Sequence, residues 1–320
     1  MNSQPAPTIS RRRFLTTTAA TATAACLTPR RLFAQTQQPE MVIKGREAAA
    51  KAKITTQKLR GDVSVLLGSG GNIAVLPAKE GKLLVDAGIS TSRPQITEAL
   101  AAINSDPIRI LINTHWHWDH TDGNEWVHSV GATIWAHENT RYRMSSPQHI
   151  ALFNADFPAA PVGALPTILF NPSRTISDSI STLELSHYDP AHTDTDISVH
   201  FLEADVLHTG DTWFNGGYPF IDYSTGGNID GMITATKRNL ATGTNSTIVI
   251  PGHGPVGNKQ QLSDTLDMLS AIRDKVATLK RQGKSVDEVV AAKPTAQFDD
   301  KFTKGFVTPE MFTRLVYQGV

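Results

Sequence analysis

The stretch Thr114-His115-Trp116-His117-Trp118-Asp119-His120-Thr121-Asp122-Gly123-Asn124 gathers three histidines and two aspartates into one short segment. Neutral imidazole nitrogens and carboxylate oxygens are borderline-to-hard donors, suited to zinc, iron, manganese or cobalt. On extended backbone His115 and His117, two apart, point to one side and can share a metal. Asp119 and His120 follow where the polar turn at Gly123 starts a helix, so they can face a second metal. A chain with 11 histidines in 320 residues does not reach this density by chance.

Three later positions share the character of the first. His192 stands in Pro190-Ala191-His192-Thr193-Asp194-Thr195-Asp196, Asp211 in His208-Thr209-Gly210-Asp211-Thr212, and His253 in Pro251-Gly252-His253-Gly254-Pro255. Asp211 and His253 follow an apolar run and His192 precedes one, each with turn residues around it. Any one of them alone reads as an ordinary turn residue; their order after the first cluster is what carries weight.

The elements that must position these donors follow from apolar periodicity. Ile108-Arg109-Ile110-Leu111-Ile112 reads as a short buried strand delivering the chain to the first cluster. Strands are expected at 54–59, 63–67, 72–76 and 82–85, with a hairpin turn at Gly68-Ser69-Gly70-Gly71. A helix is expected at 92–103, then the strand at 109–113, a helix at 123–130, a strand at 132–136 and a helix at 138–144. Residues 145–165 are irregular and Pro-rich, a composition suited to the wall or lid of a binding site. Strands return at 182–187, 197–202, 206–209 and 247–250, with helices at 228–240, 260–281, 286–292 and 309–318. The repetition of strands and helices predicts a layered α/β sandwich in two similar halves.

Composition bounds the address and the partners. Residues 1–34 carry Arg11, Arg12, Arg13, Arg30 and Arg31 and no acid. Their removal leaves 25 basic against 30 acidic residues, a net charge of −5. No basic stripe interleaved with aromatics marks a nucleic-acid partner; a small-molecule substrate is expected instead. Ser10-Arg11-Arg12-Arg13-Phe14-Leu15, followed by a weakly apolar Thr/Ala run, resembles a twin-arginine export signal. The run is too short and polar to anchor the chain in a membrane. Cleavage is expected after Ala34, giving a signal at 1–34, an arm at 35–53, a single domain at 54–320 and a periplasmic protein. Cys26 is the only cysteine. The mature chain would thus have no disulfide, thiolate ligand or cysteine nucleophile.

The succession H-x-H-x-D-H, a single His, G-D and G-H-G resembles the metallo-β-lactamase superfamily over residues 54–272. The resemblance implies a four-layer αβ/βα sandwich and two zinc ions, with iron or manganese as substitutes. It implies that one metal takes His115, His117 and His192, the other Asp119, His120 and His253, and that Asp211 bridges them. Asp86, at the end of an early strand, would orient a ligand from behind. Such a pair acidifies a bridging water for attack on a carbonyl, with Asp119 as the catalytic proton carrier.

Which carbonyl is a separate matter, since the chain departs from each subfamily. Asp211 stands where many β-lactamases of this type carry Cys, and Phe214 where they carry a substrate-binding Lys and quorum-sensing lactonases a Tyr. Gly210-Asp211-Thr212-Trp213-Phe214 looks most like the glyoxalase II type, but Phe220 occupies the position of its substrate-gripping Lys. The expected substrate is a cyclic or activated acyl compound: a β-lactam, lactone or thioester. Tyr218 and Tyr223, beside glycine pairs, are candidate substrate handles, and Arg141, Arg143 and Lys259 candidate anion binders. Two other readings remain: an iron-loaded oxidoreductase on the same scaffold, and a periplasmic metal-binding or partner protein with little turnover. The sequence carries no reading of oligomeric state.

Overall fold

A computed structural model describes residues 38–177 and 181–320. The expected export signal, its cleavage point and Cys26 lie outside the described residues. Among the described residues no helix is long and apolar enough to cross a membrane.

The first element of the described residues is helix α1 (Glu40–Ala49), so the described part of the segment expected as a loose arm or short helix takes the second form. It is packed, with Val42 and Ala49 buried and Arg46 paired to Asp122. Strands β1 (Thr55–Lys58), β2 (Ser64–Leu67), β3 (Ile73–Ala78) and β4 (Gly81–Val85) form an antiparallel meander. Helix α2 (Arg93–Ile103) crosses over to β5 (Ile108–Ile112), which lies parallel to β4 with Leu84 opposite Leu111. Two short helices, α3 (Trp118–Thr121) and α4 (Asn124–Ser129), lead to β6 (Thr133–His137), parallel to β5. Helix α5 (Glu138–Met144) and a hairpin of β7 (Gln148–Ile150) and β8 (Ala155–Phe157) precede β9 (Ile168–Phe170), which completes a seven-stranded sheet.

The second sheet has six strands in chain order: β10 (Ser173–Ser177), β11 (Thr182–His187), β12 (Ile197–Phe201), β13 (Val206–His208), β14 (Ile248–Ile250) and β15 (Gly257–Asn258). Helix α6 (Ile229–Ala241) connects β13 to its parallel neighbour β14. Helices α7 (Lys259–Arg281), α8 (Val286–Ala291), α9 (Asp299–Phe302) and α10 (Pro309–Gly319) follow. Helix α7 starts at a reciprocal cap between Asn258 and Gln261, and α8 at one between Ser285 and Glu288.

Side-chain alternation along the strands builds the layers. Val85 and Ile112 face Val199, Phe201, Val206 and Ile250 in the core between the sheets. Their neighbours Leu84 and Leu111 face the other way, onto Ile96 and Leu100 of α2 and Val127 of α4. On the far side Met268, Leu269, Ile272 and Val276 of α7, at helical spacing, pack with Met232 of α6 and Phe312 of α10. The expected four-layer sandwich is therefore the fold. Five strands were not foreseen: β7 and β8, inside the segment expected to be irregular, and β9, β10 and β15. All have five residues or fewer, β9 and β10 are flanked by Pro166 and Pro172, and β10 carries polar residues of an exposed sheet edge.

Asp205, in left-handed backbone between β12 and β13, ties the end of the second sheet together. Its carboxylate accepts from the hydroxyls of Thr247 at 2.6 Å and Thr244 at 2.5 Å. Burial pushes its pKa up, but these hydrogen bonds dominate and hold it at about 2. A depressed folded-state pKa contributes stability above the ordinary value, lost as pH falls through the folded one. Asp205→Ala should therefore destabilise the fold by ~1–2 kcal/mol at neutral pH. The deficit should vanish between the ordinary value of 3.8 and about 2, as read from melting temperatures of both proteins across pH.

Candidate metal centre

The site forms where parallel strands end. Strand β4 delivers Asp86, β5 delivers Thr114 and His115, β13 delivers Asp211 and β14 delivers His253. Carboxyl ends of parallel strands are where an open α/β sheet exposes its loops to a ligand. His192 arrives from the loop before β12, and Asp119 and His120 from α3.

The backbone from Thr114 to Trp116 bends, instead of staying extended as expected. The cause is Asp86, which accepts from the Thr114 amide at 2.8 Å and hydroxyl at 2.7 Å and draws the chain off the strand direction. His115 and His117 nevertheless share one group. The donor atoms of His115, His117, His192 and Asp211 lie within 4.8 Å of one another, as do those of Asp119, His120 and His253.

Asp211 lies between the two groups. One of its oxygens is 3.8 Å from His115 Nε2, 3.5 Å from His192 Nε2 and 3.4 Å from His253 Nε2; the other is 3.1 Å from His120 Nε2. Asp119 Oδ2 is 3.3 Å from His253 Nε2. His192 Nε2 and His117 Nδ1 stand 2.8 Å apart, and His120 Nε2 and His253 Nε2 3.2 Å apart. His115 Nε2 is buried with no hydrogen-bond partner. Imidazole nitrogens converging this closely, one of them orphaned, form a donor set that fits divalent cations.

Four of the five rings are fixed from behind, which sets the nitrogen they present. His115 Nδ1 is 3.0 Å from Thr114 Oγ1, and His120 Nδ1 2.7 Å from Asp86 Oδ2. His192 Nδ1 meets the Phe220 carbonyl at 2.8 Å, and His117 Nε2 meets Asp222 Oδ2 at 3.1 Å. Asp86, expected to orient a ligand without the ligand being named, stands behind His120. Burial keeps His115 well below the ordinary imidazole pKa and His192 at about 4, so both offer lone pairs at neutral pH. Against the upward push of burial, His253, His120 and His115 hold the Asp211 carboxyl well below its usual range.

The floor is main chain. A Cβ on Gly71 would collide with the His120 ring, and one on Gly252 with Asp211 Oδ1. The cluster opens to solvent at Asp119 and His253, 23% and 28% exposed, whereas the remaining five donors are buried.

Several candidates lie elsewhere. Tyr218 is fully buried, stacked on Phe312, and its hydroxyl donates to Asp299 at 2.8 Å, so it is a core residue and not a substrate handle. Tyr223 has its hydroxyl packed against Gly319 of the last helix, with burial pushing its pKa up. Asp122 turns away from the cluster to Arg46 and Ser90. Arg141 is held by the Pro166 carbonyl, Arg143 by Asp194, and Lys259 by carbonyls of Asn239, Leu240 and Thr242. Phe214 stacks on His253 and Phe220 on His117, while Trp213 is core.

Sequence reasoning missed Asp222 and Asp196. Asp196 accepts from the amides of His192 and Thr193 at 2.8 and 2.9 Å and shapes the loop that carries His192. Asp222 also accepts from Thr225 Oγ1 at 2.6 Å. Nothing in Ile221-Asp222-Tyr223 distinguishes it from a turn aspartate. With metal held by these donors, Asp222→Asn should weaken affinity ~10–100-fold by loosening His117. Chelator competition measures this; unchanged affinity would mean that Asp222 only shapes its own turn.

The family model described as the metallo-beta-lactamase superfamily matches residues 67–275. The chain is 34% identical over 68 residues to a probable metallo-hydrolase, YqgX, of Bacillus subtilis, covering 21% of this chain and 32% of that protein. It is 28% identical over 165 residues to a hydroxyacylglutathione hydrolase of Polaromonas sp., covering 51% and 54%. The chain thus spans about half or less of the length of these relatives. Among solved structures it resembles a metallo-beta-lactamase from Pontibacter korlensis, with a TM-score of 0.56 and 20% identity over 68% of this chain and 99% of that one.

Proposed function

Because this chain belongs to the metallo-beta-lactamase superfamily, we propose that it is an exported dinuclear zinc hydrolase acting on a β-lactam, lactone or thioester. The observation that carries this reading is Asp211, whose carboxylate lies within 3.1–3.8 Å of four imidazoles drawn from both donor groups. Divalent ions bound there supply Lewis acidity toward a carbonyl and lower the pKa of water.

The chain's own groups do the rest. Asp86, Thr114, Asp222 and the Phe220 carbonyl fix the rings, so little reorganisation accompanies reaction. Asp119 is the carboxylate on the open side, beside His253. It is placed to accept the proton of the attacking water and pass it to the leaving group. Phe214 and Phe220 border the donors with apolar surface and leave the substrate carbonyl little competing water. Export through the twin-arginine route suits a centre whose donors converge only in the folded chain.

The reading is tested by elemental analysis of natively exported protein, with nitrocefin, lactone and thioester hydrolysis run on the same sample. About two zinc ions per chain together with turnover is the expected result. Iron, or metal without hydrolysis of any of the three, would overturn it.

A further inference from the structure

On the back of α3 lies a cavity of about 500 Å³ that none of the seven donors lines. One face of this single-turn helix carries Asp119 and His120 into the metal centre; Trp118, Thr121 and the adjoining Asp122 line the cavity on the other. Its walls are Trp116, Trp118, Trp126, Met144, Phe157 and Val42. The volume lies within the ~300–1,000 Å³ common to small-molecule sites.

Two segments that the metal centre does not use build this cavity. Helix α1, with Val42 and Arg46, precedes residues 67–275 that match the family. The Pro-rich excursion contributes Phe157 to Pro161, so the wall that its composition suggested encloses this space.

The charges around the cavity are spent on each other. Asp122 accepts from Arg46 Nε at 3.2 Å, from the Ser90 amide at 2.9 Å and from its hydroxyl at 2.5 Å. Arg143 donates to Asp194 and Gln148. Arg93 and Glu125, the remaining charged lining residues, are exposed to water. A ligand here therefore meets mainly aromatic and aliphatic surface, with neutral polar groups such as Gln38, Ser146 and Gln148 beside it and no buried charge that needs an opposite one.

We propose that this cavity is a second ligand site, separate from the metal centre, that takes a small uncharged apolar molecule, aromatic for preference. Its far wall is tied to the centre. Trp116 Nε1 donates to Thr225 Oγ1 at 3.2 Å, Thr225 to Asp222, and Asp222 holds His117.

Three of the chain's five tryptophans line the cavity, so tryptophan fluorescence reports its filling. The test titrates the full protein with the neutral fluorophore N-phenyl-1-naphthylamine and, in parallel, with the anionic anilinonaphthalene sulfonate. The expected result is saturable one-to-one binding of the neutral probe, with energy transfer from tryptophan. Ala160→Phe and Val42→Phe, each adding a ring to the wall, should weaken it about tenfold or more, a cost of ~1.4 kcal/mol. Circular dichroism and melting identify the filled variants that keep the fold, and either one suffices. No saturable binding, binding indifferent to a folded filled variant, or tighter binding of the anionic probe would each overturn the proposal. None of these readouts depends on hydrolysis.

Discussion

Asp211→Ala should leave the protein with neither metal and without hydrolytic activity. Among the described residues Asp211 is the one carboxylate within 3.8 Å of His115, His120, His192 and His253 together. Its removal withdraws a negative charge from between two prospective dications, at a buried position where salt screens little. The loss of Lewis acidity removes several kcal/mol of transition-state stabilisation, ~10³-fold or more in rate. The measurement is metal content after dialysis against a weak chelator, with turnover of whichever acyl substrate the wild type hydrolyses. Asp211→Asn keeps the side-chain volume and guards against misfolding as the cause. Loss of one metal with the other retained would show that Asp211 serves one group alone.

The second large effect is expected at Asp119. Asp119→Asn keeps a carbonyl oxygen toward His253 but can no longer take up a proton at neutral pH. A general base of this kind is worth ~10²–10⁴ in rate. Both kcat and kcat/KM should fall by that factor, because the interaction is one of the transition state and not of ground-state binding. Retained activity would remove Asp119 from the proton path. A biological effect that survives the loss of activity would favour a metal-binding or partner role over hydrolysis.

The donors were legible in the sequence because each carries its own local signal. An apolar run ends, glycine or proline turns the chain, and a histidine or aspartate stands at the tip, as at Pro251-Gly252-His253-Gly254. The layers were legible for a similar reason, since Leu84-Val85 and Leu111-Ile112 are apolar on both faces and read as buried strands. Asp222 was not, because what makes it important is His117, 105 residues away. Tyr218 and Tyr223 were misread for the opposite reason. The glycine pairs beside them suggested substrate handles, but Phe302, Phe312 and Gly319 of the last helices pack over them. Long-range packing of that kind leaves no mark on the sequence nearby.

The donors come from loops of both sheets, and His120 and His253, 133 residues apart, stand nitrogen to nitrogen. Contacts of such sequence separation close late, since the entropy of the intervening loop must be overcome first. A chain that lacks β14 lacks His253, and one whose sheets have not docked has neither donor group complete. Metal uptake would then be a completion check on folding: ions held by both donor groups would mark a molecule made through to His253 and closed along the whole sandwich.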